Sequence, residues 1–280
     1  MEQTKGYLRV KGKIWSLNNK EAKEFDSIKS LSFGIQTSKD NSLFLQVGEW
    51  KNTKLNVKIK AEGMTEVEEI NEQEAINVIK ELFKDGDSVY VNMRAEVDTY
   101  RKSIKYLVNQ IYIEKEPIDF ESETFEEVNE LSQSVIIIEK PVNKSVKVGI
   151  TTYREEMVEQ DLKLTDDDIN DYFEENVKVG DVMKLSISVN RKPNYVDGED
   201  ESERKTLKGK TVKTGRRNID GYIESLEVID VDLQKTEKKK YEKSEIREAL
   251  EKTEAIATKK ATTKDNYKAT DDLKDKDLPF

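Results

Sequence analysis

The hydrophobic period of this chain switches from two to three-and-four and back again, twice, and few folds accommodate that order. Along residues 6–17, Leu8, Val10 and Ile14 fall on one face with Gly12 in register, while Arg9, Lys11, Lys13 and Trp15 fall on the other. A period of two belongs to a half-buried strand. Residues 30–37, 41–50 and 54–61 repeat the pattern with Leu31, Phe33 and Ile35, then Leu43, Leu45 and Val47, then Leu55, Val57 and Ile59. The period then lengthens: Ala75, Ile76, Ile79, Leu82 and Phe83 describe an amphipathic helix, with Asn71 as its N-cap and Glu74 as the capping-box partner. Alternation resumes from Ser88 and again over residues 103–114.

The middle third runs through the same order. Residues 134–142 and 145–153 read as strands, Thr165 caps a short helix carrying Ile169, Tyr172 and Phe173, and residues 179–189 and 221–233 read as strands. Gly86–Asp87 and Gly180–Asp181, about 94 residues apart, each follow the helix and open the next strand. Self-similarity at a fixed spacing points to a duplicated unit. Five strands with a helix before the fourth is the order of an OB-fold barrel, a fold that binds oligonucleotides or oligosaccharides on one sheet face and two loops. The expectation is a mostly β protein with short helices: two tandem OB-fold-like five-stranded barrels, at 1–118 and 119–234, and a flexible charged tail, 235–280, open to a transient helix in its first half and disordered from about Thr258.

Composition removes several function classes. Among 280 residues there is neither cysteine nor histidine, which excludes disulfides, Cys/His zinc sites, cysteine nucleophiles and histidine bases. No catalytic constellation is present, so no enzyme, cofactor or metal is expected. The three aspartates 166–168 open a helix, where they favour its dipole. No apolar run nears the roughly 18 residues of a membrane span, and the N-terminal residues lack a signal-peptide stretch, so a cytoplasmic protein is expected. The net charge is −10, unevenly spread: residues 1–118 carry 19 basic and 19 acidic groups, residues 119–234 carry 16 against 28, and residues 235–280 carry 13 against 11. The first barrel is therefore free to present a basic face.

The chain ends in Asp277, Leu278, Pro279 and Phe280. OB-fold barrels, a charged tail and this terminus together resemble the bacterial and phage single-stranded DNA-binding proteins. The resemblance implies a body that coats single-stranded DNA in the (host) cytoplasm and a tip that docks replication, recombination and repair proteins. Asp277–Phe280 would be the tip, with Asp271, Asp272 and Asp275 as outlying acids. Phe280 suits an apolar pocket, its carboxylate a partner cation, and Pro279 limits the conformations lost on binding. The tail departs from the family pattern in its many lysines, Lys274 and Lys276 among the acids included. Two barrels in one chain look like a phage variant that multiplies its sites by duplication.

Binding single strands without sequence preference takes cations for the backbone and aromatic faces for the bases, each stacked base contributing about 1–3 kcal/mol. Candidates in the first barrel are Arg9, Lys11, Lys13 and Trp15 on the first strand, Phe44 on the polar side of its strand, Trp50 at a loop, and Lys58 and Lys60. Arg94, Tyr100, Arg101, Lys102 and Lys105 gather at the turn before the fifth strand, a binding loop in the family. Phe33 and Tyr112 are assigned to the core. In the second barrel an insert at about 191–217 holds seven basic residues and no acid over 204–217: Arg204, Lys205, Lys208, Lys210, Lys213, Arg216 and Arg217. Such a wing could follow a DNA backbone and release counterions. Two other readings stay open, an OB-fold adaptor between proteins and a structural phage component.

Overall fold

A computed structural model describes residues 1–99, 101–196, 201–205, 211–215 and 218–262. In chain order the elements are β1 (Gly6–Trp15), β2 (Lys23–Phe25), β3 (Ile28–Ser38), β4 (Asn41–Val47), β5 (Asn56–Lys60), β6 (Glu68–Asn71), α1 (Glu72–Leu82), β7 (Ser88–Asp98) and β8 (Ser103–Ile113). There follow β9 (Asn129–Ile137), β10 (Ser145–Thr151), β11 (Met157–Lys163), α2 (Asp167–Asn176), β12 (Val182–Val196), β13 (Glu201–Lys205), β14 (Thr211–Gly215), β15 (Asn218–Glu237) and α3 (Lys243–Thr262).

The strands close twice. β1 pairs with β3, β3 with β4, β4 in parallel with β8, β8 with β7, and β7 with β1. In the same order β9 pairs with β10, β10 with β11, β11 in parallel with β15, β15 with β12, and β12 with β9. Each barrel sets a helix between its third and fourth strands. Both are OB-fold barrels, and the protein is mostly β with three helices among the described residues. The alternation explains the closure: Leu8, Phe33, Leu45, Val91 and Ile111 are buried inside the first barrel, and Leu131, Val148, Leu162 and Leu185 inside the second.

The two Gly-Asp turns match bond for bond. Gly86 and Gly180 sit at φ 93° and 90°, conformations that glycine adopts without strain. Asp87 Oδ2 accepts from the Lys84 N–H at 2.9 Å, and Asp181 Oδ2 from that of Lys178 at 3.0 Å. The Gly86 N–H donates to Ile14 O at 2.8 Å and the Gly180 N–H to Ile137 O at 2.9 Å. Each turn thus pins its barrel's first strand to its fourth.

The barrels join through their first strands. β1 and β9 pair antiparallel around Leu8↔Leu131, and these two residues hold equivalent places, facing Met93 on β7 and Ile187 on β12. A local two-fold axis passes between them, and the sheet is continuous across both barrels.

Three expectations change. β2, β6 and β11 are additional strands; β11 carries Glu159, Gln160 and Asp161 among its apolar residues, which hides its alternation. Asp166, not Thr165, caps α2, its side chain accepting from the Ile169 N–H at 3.0 Å. The segment after 234, expected as flexible tail, completes β15 and then forms α3, because Ile246, Ala249 and Thr253 line one side of a helix and bury against the second barrel beside Met157. Residues 263–280 lie outside the described residues.

Candidate nucleic-acid interface

The outer face of β3 and β4 is built row by row from the pairing register. Trp15, Gly34 and Phe44 form one row; Ser32 and Gln46 form the next toward the far end of the hairpin. Beyond β4 the same register continues, Ile28 bridging to Trp50 and Phe25 to Ile28, so that Phe25, Ile28 and Trp50 form an outermost row. Trp50 follows Phe44 by six positions, with β4 ending at Val47 between them. The aromatic candidates Trp15, Phe44 and Trp50 thus share one face.

The two ends of this face differ. Trp15 is only 5% exposed. Its indole lies over Gly34, whose missing side chain makes the room, since a Cβ there would stand 1.9 Å from Trp15 Cε2. Trp15 therefore faces outward, as its alternation requires, but is covered and not available to a base. Its ring meets Phe44 at 5.2 Å between centroids. Arg191 of the second barrel lies over Phe44 at 4.6 Å and over Tyr222 at 3.9 Å, and its Nε reaches Glu224 at 3.2 Å. The outer reaches of β12 and β15 form an arm that crosses this end of the first barrel. Asn41 holds it, accepting from the Arg191 N–H at 2.8 Å and donating to Val189 O at 3.2 Å. Burial, with the Glu224 carboxylate adding to it, pushes the Tyr106 hydroxyl of β8 above the usual tyrosine range. The other end is open, with Trp50 54% and Phe25 57% exposed.

Four of the predicted cations, Arg9, Lys11, Arg94 and Lys105, are engaged in ion pairs. Arg9 contacts Glu130 at 2.6 Å, and the Ser186 hydroxyl together with Arg9 holds that carboxylate below its usual range. The segment linking the barrels crosses β1, so that Lys11 pairs with Glu114 at 3.3 Å and Lys13 lies over Phe120 at 5.2 Å. Arg94 is drawn into the structure: it contacts Glu72 at 2.9 Å, Glu96 at 3.0 Å and Asn109 at 2.7 Å, and Lys105 pairs with Glu49. Burial opposes the Arg94 charge, but the Glu72 and Glu96 carboxylates raise its pKa above the ordinary arginine value. These two residues brace the β7–β8 hairpin against α1 and the end of β4.

Lys58 and Lys60 lie on β5 opposite Gln110 and Tyr112, on the outer side. Tyr112, expected in the core, is half-buried there and pairs across strands with Tyr90. Phe33 is fully buried as expected. Arg101 and Lys102 are exposed at the β7–β8 turn, where Lys102 O accepts from Gln160 of the second barrel at 3.2 Å. In the insert, Arg204 and Lys205 fall on β13 and Lys213 on β14, which pair as a hairpin. Tyr100, Lys208, Lys210, Arg216, Arg217, Asp275 and Asp277–Phe280 lie outside the described residues.

The second barrel does not repeat the aromatic face. Gly34↔Phe44 in the first corresponds to Lys147↔Asp161 in the second, so an exposed carboxylate stands where the first barrel has a ring. Phe25, the residue that sequence reasoning missed, sits in a polar run; only its pairing with Ile28 places it beside Trp50.

Two OB-fold barrels joined edge to edge, one of them bearing Phe44 on its third strand and Trp50 just beyond it on one face, define a tandem OB-fold protein. The sequence model of the YorF family matches residues 5–266, and the chain belongs to that family. No curated protein sequence matches it. Among solved structures, a deletion mutant of the single-stranded DNA binding protein from Thermus aquaticus is similar with a TM-score of 0.43 at 9% identity, over 83% of this chain and 95% of that one. The wild-type form of that protein is similar with a TM-score of 0.43 at 8% identity, over 82% and 93% of the two chains.

Proposed function

We propose that the protein binds single-stranded DNA without strict sequence preference, through the outer face of β3 and β4, and protects it during replication, recombination or repair. The observation that carries this reading is the alignment of Phe44 and Trp50 on the face that OB-folds use for oligonucleotides, with the far end open to solvent. It acts by binding alone, not as an enzyme. The basic insert between β12 and β15 follows the strand's phosphates, and Asp277–Phe280 recruits partner proteins to the coated DNA.

The acidic second barrel favours a second reading, in which that barrel contacts a protein: Glu159 and Asp161 are exposed on β11.

Titration of the intact protein with oligo-dT at low salt, followed by tryptophan emission, tests the main reading. Trp50 is the exposed tryptophan, so saturable quenching that salt reverses is expected. Neither quenching nor a mobility shift of the oligonucleotide would leave the adaptor reading in its place.

A further inference from the structure

The row Phe25–Ile28–Trp50 lies beyond the barrel proper, on a three-stranded apron made by β2, the start of β3 and the residues after β4. Its two rings are well exposed although the chain has a large core elsewhere. We propose that Phe25 and Trp50 are the two walls of a base-stacking site for single-stranded DNA, with Ile28 as its floor. This inference rests on the DNA-binding reading above and says where, and by which residues, the bases are gripped.

The spacing supports it. Phe25 and Trp50 are two strands apart, about 10 Å between backbones. Side chains stand roughly perpendicular to a sheet, so rings on those strands face one another across Ile28. Ring, base, base, ring requires three stacking steps of about 3.4 Å, the same length. Charge supports it as well. Glu24, Lys29 and Glu49 belong to the neighbouring row, whose side chains point to the opposite face. There Glu24 pairs with Lys51 at 2.7 Å and Glu49 pairs with Lys105. On the aromatic face the next row holds Lys23 and Ser30. The face then continues along Gln46 toward Phe44, which gives the strand a direction.

The test uses the full chain and dT oligomers at low salt. F25A and W50A are each expected to weaken binding by about 5-fold to 100-fold without lowering the melting temperature, since both side chains are exposed. Moving the reporter, by F25W in a W50F background, should restore quenching by the oligomer. If the wild type binds while F25A stays within twofold of it and the moved reporter is not quenched, the clamp is wrong and the DNA-binding reading survives. A wild type that fails to bind removes both. An apolar peptide that is captured at this row while oligomers are ignored would also overturn the proposal, in favour of a protein ligand.

Discussion

Two side chains that look like surface chemistry in the sequence are structural. Arg94 sits over Glu72, whose side chain is 1% exposed. Removing the guanidinium would strand a buried carboxylate, so Arg94→Ala should cost about 3–5 kcal/mol in urea unfolding, and the Glu72→Ala, Arg94→Ala double variant should recover part of that loss. Gly34 makes room for the Trp15 indole. Gly34→Ala should displace that ring, red-shift the Trp15 component of the emission and destabilise the protein by about 1–3 kcal/mol, the usual cost of overpacking. Alternation correctly predicts which side of β1 carries Trp15, but not that Phe44, Arg191 and Tyr222 stack behind it. Those contacts come from residues 29 to 207 positions away, which no local pattern encodes.

Among the elements, the Gly-Asp turns are the part most legible beforehand, since a turn needs positive φ at one residue and an acceptor at the next. Their burdens differ. Asp87 accepts from the Lys84 N–H, whereas Asp181 is buried and accepts also from Lys239 N at 2.7 Å and Lys238 Nζ at 3.2 Å. Asp181→Ala should therefore cost about 3 kcal/mol and Asp87→Ala about half as much, read from urea midpoints. α3 shows the opposite case. A highly charged helix docks through Ile246, Ala249 and Thr253 and is tied by Lys252 to Glu155 at 2.9 Å. The hydrogen bond from Lys252 is the foremost cause that holds Glu155 down to about 2. Its folded value lies below the ordinary value of about 4.3, so its contribution is complete above that pH and is lost as pH falls toward 2. Hydrogen exchange should show α3 losing protection across that window, and less change at high salt, because the pair is exposed and already screened.

At the scale of the molecule, β1–β9 pairing joins both barrels in one sheet. Leu8, Leu131 and Val228 belong to a single buried cluster that runs through both barrels. Both tryptophans lie in the first barrel, so their emission reports that barrel while far-ultraviolet circular dichroism reports the whole. The two signals should follow one coincident urea transition; two separate midpoints would show that the barrels unfold independently. The asymmetry between the barrels is also a whole-molecule property. A duplicated frame carries Phe44 on one side and Asp161 on the other, and the arm of the second barrel lies across the first.

The sequence by itself determined the two barrels, their helices, the Gly-Asp turns and the burial of Phe33, because hydrophobic period, capping and positive φ act over a few residues. Only the tertiary structure decided that Arg9, Lys11, Arg94 and Lys105 are paired, that Trp15 is covered, that residues 243–262 dock as a helix and that Phe25 stands beside Trp50. A charge or a ring is available only if nothing distant in the chain claims it, and closure of the barrels brings such partners into reach.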